Sequence, residues 1–189
     1  MGIIKKNRPN SATLSATSGL FDLLGQDGQD SLIGGSGQSN ILDPIPVYTV
    51  PALDFSDVSM TSWRYLIWDN NTDNAVCMVD VDAEDEEQDV PLDAFKGMTS
   101  GKPVSLFSEA LNLVDKLFSK SSETFEIRIL EIPNVNSSAI WLKGEENSHF
   151  VPFLESNILE GGKGISINQN YAEEMQSLLS SIGPDLDLK

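Results

Sequence analysis

Two segments of the chain place apolar residues at the three- and four-residue spacing of an amphipathic helix. The first segment covers residues 105–119, where Ser105 stands in the position of an N-terminal cap. The second begins at Asn170, which forms a capping-box pattern with Glu173, and it ends before Gly183. The sequence therefore predicts two helices, each with one broad apolar face.

Other segments alternate apolar with polar residues, or are rich in β-branched and aromatic residues, as strands are. Turn-forming residues 70–73 join two of these segments, so we expect a hairpin there. Pro152 has no N–H to donate, so its strand should lie at a sheet edge or carry a bulge. The predicted strands are residues 47–53, 63–68, 75–81, 125–132, 139–142 and 150–154.

The order of these elements is typical of an α+β fold. We expect an antiparallel or mixed sheet of about five to six strands, with two helices on one face. Residues 1–42 are expected to form a flexible N-terminal arm, because residues 11–40 are rich in Ser, Gly, Gln and Asp. Residues 43–189 are expected to form a single domain, a usual size for one hydrophobic core.

The predicted arm contains one small apolar island, made of Leu20, Phe21, Leu23 and Leu24. An apolar island in a polar tail can dock as a helical turn in the groove of a partner. These four residues are therefore candidate partner-binding residues. The alternatives are that the island folds back onto its own domain, or that it has no role.

Charge is the most unusual property of the composition, with 29 Asp and Glu against 12 Lys and Arg, and a net charge of −17. Such a chain repels the phosphates of nucleic acid and anionic lipid headgroups, and it attracts basic surfaces. We therefore expect a protein partner with a basic surface, and neither nucleic acid nor membrane as a partner. The alternative is that the acidic surface serves only solubility.

Seven carboxylates are concentrated in residues 80–89: Asp80, Asp82, Glu84, Asp85, Glu86, Glu87 and Asp89. Three interpretations stay open, namely a solvated loop, a protein-binding face and a divalent-metal site. The pattern departs from a calcium-binding EF-hand loop, since Asp85 stands where glycine is needed and Pro91 where the bidentate glutamate belongs. Glu84, Glu86 and Glu87 are therefore taken as candidate partner-binding residues, and no metal ligand is assigned.

Catalytic patterns are weak in this sequence. His149 is the only histidine, no G-x-S-x-G motif is present, and we expect a surface histidine at a hairpin. Cys77 is the only cysteine and lies in a predicted strand, where a thiol is usually a small buried apolar group with a high pKa. The glycine-rich segments lack the spacing of phosphate-binding loops. We expect no catalytic residue and no cofactor.

Neither a secretory signal nor an apolar run long enough to cross a bilayer is found, so a cytoplasmic location is expected. Residues 126–133, 139–143 and 150–153 resemble uncharacterised small bacterial α+β proteins, in which a strand ending in Ile-Pro precedes an Ala-Leu-Trp-Leu-like strand. This resemblance implies no activity, since no functional residue carries over.

Together these features favour a non-catalytic, acidic protein-interaction module or an accessory subunit of a larger assembly. One alternative is a divalent-metal-binding protein or hydrolase that uses the carboxylates of residues 80–89. Another is an inhibitor or mimic that binds a basic protein.

Overall fold

The computed structural model describes residues 3–4, 39–50, 57–69, 73–83, 95–155, 165–168 and 170–182. These residues form nine strands and two α-helices, so the fold is α+β but mostly sheet, with more strands than expected. In chain order the elements are β1 (Ile3–Ile4), β2 (Ser39–Ile41), β3 (Ile45–Thr49), β4 (Ser59–Asp69), β5 (Asn74–Asp82), β6 (Phe95–Ser100), α1 (Lys102–Phe118), β7 (Phe125–Ile132), β8 (Ser137–Lys143), β9 (Ser148–Leu154) and α2 (Tyr171–Ile182).

Three of the strands, β1, β2 and β6, were not predicted. β1 pairs in parallel with β7, whereas β2 pairs antiparallel with β4 and β6 antiparallel with β5, so the strand pairing is mixed. β1 and β2 are too short to show an alternating pattern. β6 contains Lys96 and Gly97, which have low strand propensity, so its pairing with β5 decides its conformation. The rest of the predicted arm lies outside the described residues, and its flexibility stays a prediction.

Backbone contacts divide the chain into two compact units. The first unit falls within Lys5–Val47 and Thr61–Ser108, and its strand order is β6-β5-β4-β3, with β2 on β4. The second falls within Met1–Ile4, Tyr48–Met60 and Glu109–Lys189, and its strand order is β3-β7-β8-β9, with β1 on β7. The strand β3 contributes residues to both units.

The predicted hairpin of the first unit is confirmed as β4 and β5, and both strands are longer than expected. Their register runs from Ser62 opposite Asp82 to Asp69 opposite Asn74. Asp73, at the end of the turn, has a φ of 53°, a left-handed conformation that aspartate tolerates better than most residues. Trp63, Tyr65, Leu66, Cys77, Met78, Val79 and Val81 are buried on these strands.

The helix α1 begins at Lys102, three residues before the predicted start. The carbonyl oxygen of Gly101 accepts the N–H groups of Val104 and Ser105, at 3.0 and 3.2 Å. Ser105 is therefore not the cap, and the prediction that it caps the helix is wrong. Pro103 lies in the first turn, where a helix has no internal acceptor for the missing N–H. The buried residues of α1 are Val104, Phe107, Ala110 and Val114.

In the second unit, β7, β8 and β9 form an antiparallel meander. β7 has the predicted bounds, and a 3-10 turn over Pro133–Val135 follows it. The predicted hairpin of β8 and β9 is also confirmed. Ser138 pairs with Leu154 and Ala139 with Pro152, so the register shifts beside the proline. β9 is last in the strand order as well, which agrees with the expected edge or bulged position of its proline.

Successive residues of a strand point to opposite faces of a sheet, so the register assigns residues of β7–β9 to two faces. The Phe125 face contains Phe125, Ile127, Ile129, Ile140, Leu142, His149 and Val151. The Arg128 face contains Glu126, Arg128, Leu130, Ile132, Ala139, Trp141, Lys143, Ser148 and Phe150.

The two helices contact opposite faces of this meander. Phe118, the last residue of α1, meets Phe125 with ring centroids 5.3 Å apart, and Tyr171 of α2 meets Phe150 at 5.4 Å. The prediction of two helices on one face is therefore wrong. The helices lie on opposite faces because β7 buries residues on both of its faces, and each face must be covered by other parts of the chain.

The helix α2 confirms the predicted C-terminal helix. Asn168 makes the polar contacts at its start, where its Oδ1 accepts the N–H of Asn170 at 3.0 Å and its Nδ2 donates to Glu174 at 2.9 Å. The carbonyl oxygen of Asn170 accepts the N–H of Glu174 at 2.9 Å, and its predicted pairing with Glu173 stays a prediction. Tyr171 of the helix, Val50 directly after β3 and four buried residues of the Arg128 face form one core cluster; the four are Leu130, Ile132, Ala139 and Phe150.

Candidate functional site

The partner-binding residues predicted from the sequence all lie outside the described part of the chain. The structure therefore says nothing about them, and both the arm island and the acidic face stay predictions. They are Leu20, Phe21, Leu23, Leu24, Glu84, Glu86 and Glu87.

Asp80 and Asp82, the first two carboxylates of the acidic run, lie on β5 and are paired with cations of the same chain. Arg64 donates from Nε and Nη2 to the two carboxylate oxygens of Asp80, at 2.7 and 2.6 Å. The ammonium of Lys96 is 2.5 Å from Asp82 and donates to the carbonyl of Thr61 at 2.7 Å. These carboxylates therefore form ion pairs between neighbouring strands of the first unit.

A metal site would need several such side chains to converge on one point. Among the described residues, no group of three or more His, Cys, Asp and Glu side chains is arranged to hold a metal ion. The pairing of Asp80 and Asp82 accounts for two of the carboxylates that the metal and hydrolase alternatives require. The other five carboxylates of that run lie outside the described residues.

Cys77 has the character that its strand position predicted. It is 2% exposed, and burial raises the pKa of its thiol to about 11. The thiol is therefore neutral at physiological pH, and a neutral thiol is a poor nucleophile. This confirms Cys77 as a packing residue.

His149 lies on β9 and is half-buried, whereas a surface histidine was expected. Its ring packs against Phe118 and Phe125, with centroids 5.1 and 5.3 Å away. Its Nδ1 atom is buried without a hydrogen-bond partner among the described residues. A catalytic histidine is normally oriented by a hydrogen bond at this nitrogen, so the geometry does not suit a general base.

An open polar cavity of about 360 Å³ lies between the loop that follows α1 and the turn between β8 and β9. Gly144 borders this turn, and a Cβ atom there would be 2.8 Å from the carbonyl oxygen of Asn147, so the close backbone approach requires glycine. The lining combines carboxylates with hydroxyl and amide groups, from Ser122, Glu123, Thr124, Glu145, Glu146 and Asn147.

Arg128, on the Arg128 face, contacts one carboxylate and two aromatic rings. Its Nε and Nη2 donate to the two carboxylate oxygens of Glu126, at 3.1 and 3.0 Å. Its guanidinium carbon is 4.5 Å from the ring centroid of Tyr48 and 4.8 Å from that of Trp141. The cation thus lies over two aromatic rings whose planes meet at 77°, and cation–π attraction stabilises this arrangement.

Trp141 continues these contacts across the sheet. Its indole N–H donates to the hydroxyl of Ser148 at 3.1 Å, which fixes the orientation of the ring. Its ring is stacked with that of Phe150, with centroids 6.0 Å apart and an interplanar angle of 16°. Phe150 in turn contacts Tyr171, whose hydroxyl bonds with that of Ser137 at 2.8 Å.

We call Tyr48, Arg128, Trp141, Phe150 and Tyr171 the cross-sheet row. Tyr171 is fully buried, and burial raises the pKa of its hydroxyl, whereas Tyr48, Arg128 and Trp141 are only half-buried. The row therefore runs from the core to the surface. Successive ring contacts connect its outer end to the core.

Lys143 lies beside the outer end of the row. It is exposed, and its ammonium is 5.9 Å from the ring centroid of Trp141. We call Tyr48, Arg128, Trp141 and Lys143 the Trp141 patch. These four side chains offer two aromatic rings and two cations.

None of these four residues was predicted as a binding residue, although the sequence contains one relevant signal. Glu126 and Arg128 are two residues apart on a strand, and so are Trp141 and Lys143, which places each pair on one face. The register that puts Arg128 opposite Trp141 could not be read from that spacing.

Comparison of the chain with protein-family models, with curated proteins and with solved structures gave no match. Of the helices in the described residues, none has both the length and the apolar character needed to cross a membrane.

Proposed function

We propose that this chain is a non-catalytic protein-interaction module, an accessory component that binds a partner protein through the Trp141 patch. The proposal rests on the contacts among the side chains at the outer end of the cross-sheet row. Tyr48, Arg128 and Trp141 are half-buried, and each is held by contacts with the other two in the free chain. A surface fixed in this way loses little side-chain entropy on association.

The residue types of the patch support the same proposal. Trp, Tyr and Arg are the residues in which the binding energy of protein interfaces is concentrated. They combine large contact area with a polar group that keeps the surface soluble before binding. A patch with two aromatic rings around one arginine therefore has the composition of an interface centre.

The surroundings of three other described residues support the same proposal. Cys77 is a buried neutral thiol, His149 lacks an orienting hydrogen bond, and Asp80 is engaged by Arg64. The net charge of −17 also supports a partner whose overall surface is basic, since such a partner is attracted over long distances. The acidic residues Glu84, Glu86 and Glu87 are proposed to contribute to that attraction.

The test is affinity capture from cells of the source organism with the full chain as bait, followed by quantitative mass spectrometry. Trp141→Ala should reduce recovery of the partner at least tenfold, because truncating a central interface residue typically costs about 2 kcal/mol or more. Circular dichroism and urea unfolding of the variant confirm that it remains folded.

A matched control is Leu117→Ala, which truncates an apolar residue that is 48% exposed near the end of α1. The last residue of that helix contacts the Phe125 face, opposite the Trp141 patch. Recovery of the partner should be unchanged with this control. If every captured protein is recovered equally with wild type and Trp141→Ala, the proposed function of the patch is wrong.

A further inference from the structure

The Trp141 patch contains two cations, Arg128 and Lys143, and the neighbouring carboxylate of Glu126 is paired with Arg128. Lys143 and Glu126 are directly opposite each other in the pairing of β8 with β7. However, Glu126 is only 6% exposed and both of its oxygens accept hydrogen bonds from Arg128. Within the part of the chain that the structure describes, no carboxylate forms an ion pair with Lys143. One positive charge therefore remains beside the ring of Trp141.

Two cations of the first unit are used differently. Arg64 is paired with Asp80, and Lys96 with Asp82, so each neutralises a carboxylate of the same chain. Lys143 has no such pair among the described residues, and it lies beside the ring of a half-buried tryptophan. The charge of the patch is complementary to a carboxylate, although the chain as a whole is acidic.

We propose that the Trp141 patch binds a segment of the partner protein that carries a carboxylate next to a large apolar side chain. This inference rests on the proposed function and specifies its partner. The apolar side chain packs against the ring of Trp141, and the carboxylate pairs with the ammonium of Lys143. Burial of the apolar side chain supplies most of the affinity, since an exposed ion pair contributes little. The ion pair supplies specificity and orientation.

The charge of the whole chain limits the number of carboxylates in that segment. A net charge of −17 repels a polyacidic segment, and the repulsion reaches about one screening length, ~8 Å at physiological ionic strength. A single carboxylate placed against Lys143 gains the local contact, whereas Glu145 and Glu146 in the adjoining turn disfavour a second one. The preferred segment is therefore apolar with one acidic residue, on a partner whose remaining surface is neutral or basic.

The probe that tests this inference is a random-peptide phage library selected against the immobilised full chain. Peptides selected by the wild type should be enriched in Asp or Glu adjacent to Trp, Phe or Leu. Binding of such a peptide, measured by fluorescence anisotropy, should weaken about tenfold with Lys143→Glu. Selection against this variant should instead enrich Lys or Arg beside the apolar residue, because the charge of the patch has been reversed.

Lys116→Glu is the matched control, since it makes the same charge change at an exposed residue of α1. It should leave the peptide affinity within about twofold of wild type. If selected peptides depend on Trp141 but show no acidic enrichment, or ignore Lys143→Glu, this inference is overturned and the proposed function stands. If no selected peptide depends on Trp141, both are overturned.

Discussion

Each of the two units contains an arginine that donates from Nε and Nη2 to both oxygens of a carboxylate, but the two pairs are built differently. In the first unit, Arg64 and Asp80 are register partners on neighbouring strands, with bonds of 2.7 and 2.6 Å. In the second unit, Arg128 and Glu126 lie two residues apart on one strand, with bonds of 3.1 and 3.0 Å.

The two pairs differ in whether the carboxylate binds the residue that stands opposite it in the sheet. The first pair ties two strands together and uses the carboxylate that stands opposite its arginine. The second pair is formed along one strand, and Lys143, the register partner of Glu126, forms no ion pair with a described carboxylate. The same pair also orients Arg128 over the rings of Tyr48 and Trp141. The first pair thus links two strands of the sheet, whereas the second links two residues of a single strand.

The largest effect is expected from breaking the pair of the first unit. Arg64→Ala should lower the free energy of unfolding by about 3 kcal/mol, because it leaves Asp80, only 22% exposed, without its cation. Urea unfolding monitored by tryptophan fluorescence measures this change. Arg64→Lys should not restore full stability, since a lysine lacks the planar fork that binds both carboxylate oxygens.

The control for this prediction replaces both members by apolar residues of similar size, Arg64→Met with Asp80→Leu. A buried ion pair exchanged for apolar side chains is often neutral for stability, so the double variant should recover most of the loss. A loss below about 1 kcal/mol in Arg64→Ala would show that this pair does not tie the strands as described.

A smaller effect is expected when the pair of the second unit is broken. Arg128→Ala should cost about 1 to 2 kcal/mol, because Lys143 stands opposite Glu126 and can turn towards the carboxylate that loses its arginine. Combining Arg128→Ala with Lys143→Ala should therefore cost more than the sum of the two single variants, by about 1 kcal/mol. A double-mutant cycle in urea measures this coupling, and strict additivity would contradict the rearrangement.

Much of the second unit could be predicted from the sequence, because its local signals agree with its tertiary structure. The residues of β7 have high strand propensity and end at Pro133, so its bounds were predicted correctly. Strand β6 was missed because Lys96 and Gly97 disfavour a strand locally. The positions of the helices were also mistaken, since burial on both faces of β7 becomes visible only when its neighbours are known.

The candidate site was less predictable than the fold. Tyr48, Arg128 and Trp141 come from three different strands, and their proximity depends on pairing and register, which no single segment encodes. The high charge density of residues 80–89 predicted a binding site there, but charge alone does not distinguish a carboxylate that binds a partner from one that pairs within the chain. Asp80 and Asp82 illustrate this, since both are held by cations that lie at least 14 positions away.

The smallest effect on the free energy of unfolding is expected from replacing Lys96, whose ion pair with Asp82 is more exposed than the pair of Arg64 and Asp80. Lys96 is 41% exposed and Asp82 26%, so water and salt screen their attraction far more than that of Arg64 and Asp80. Lys96→Met keeps the apolar stem over the sheet but removes the charge, and should lower the free energy of unfolding by about 0.5 kcal/mol.

The difference from wild type should shrink further at high salt, whereas the effect of Arg64→Ala should persist because that pair is more buried. Urea unfolding of both variants at low and high salt provides the measurement. If Lys96→Met costs as much as Arg64→Ala, then burial is not what separates the two pairs, and the bond from Lys96 to the carbonyl of Thr61 becomes the stronger constraint on that end of β6.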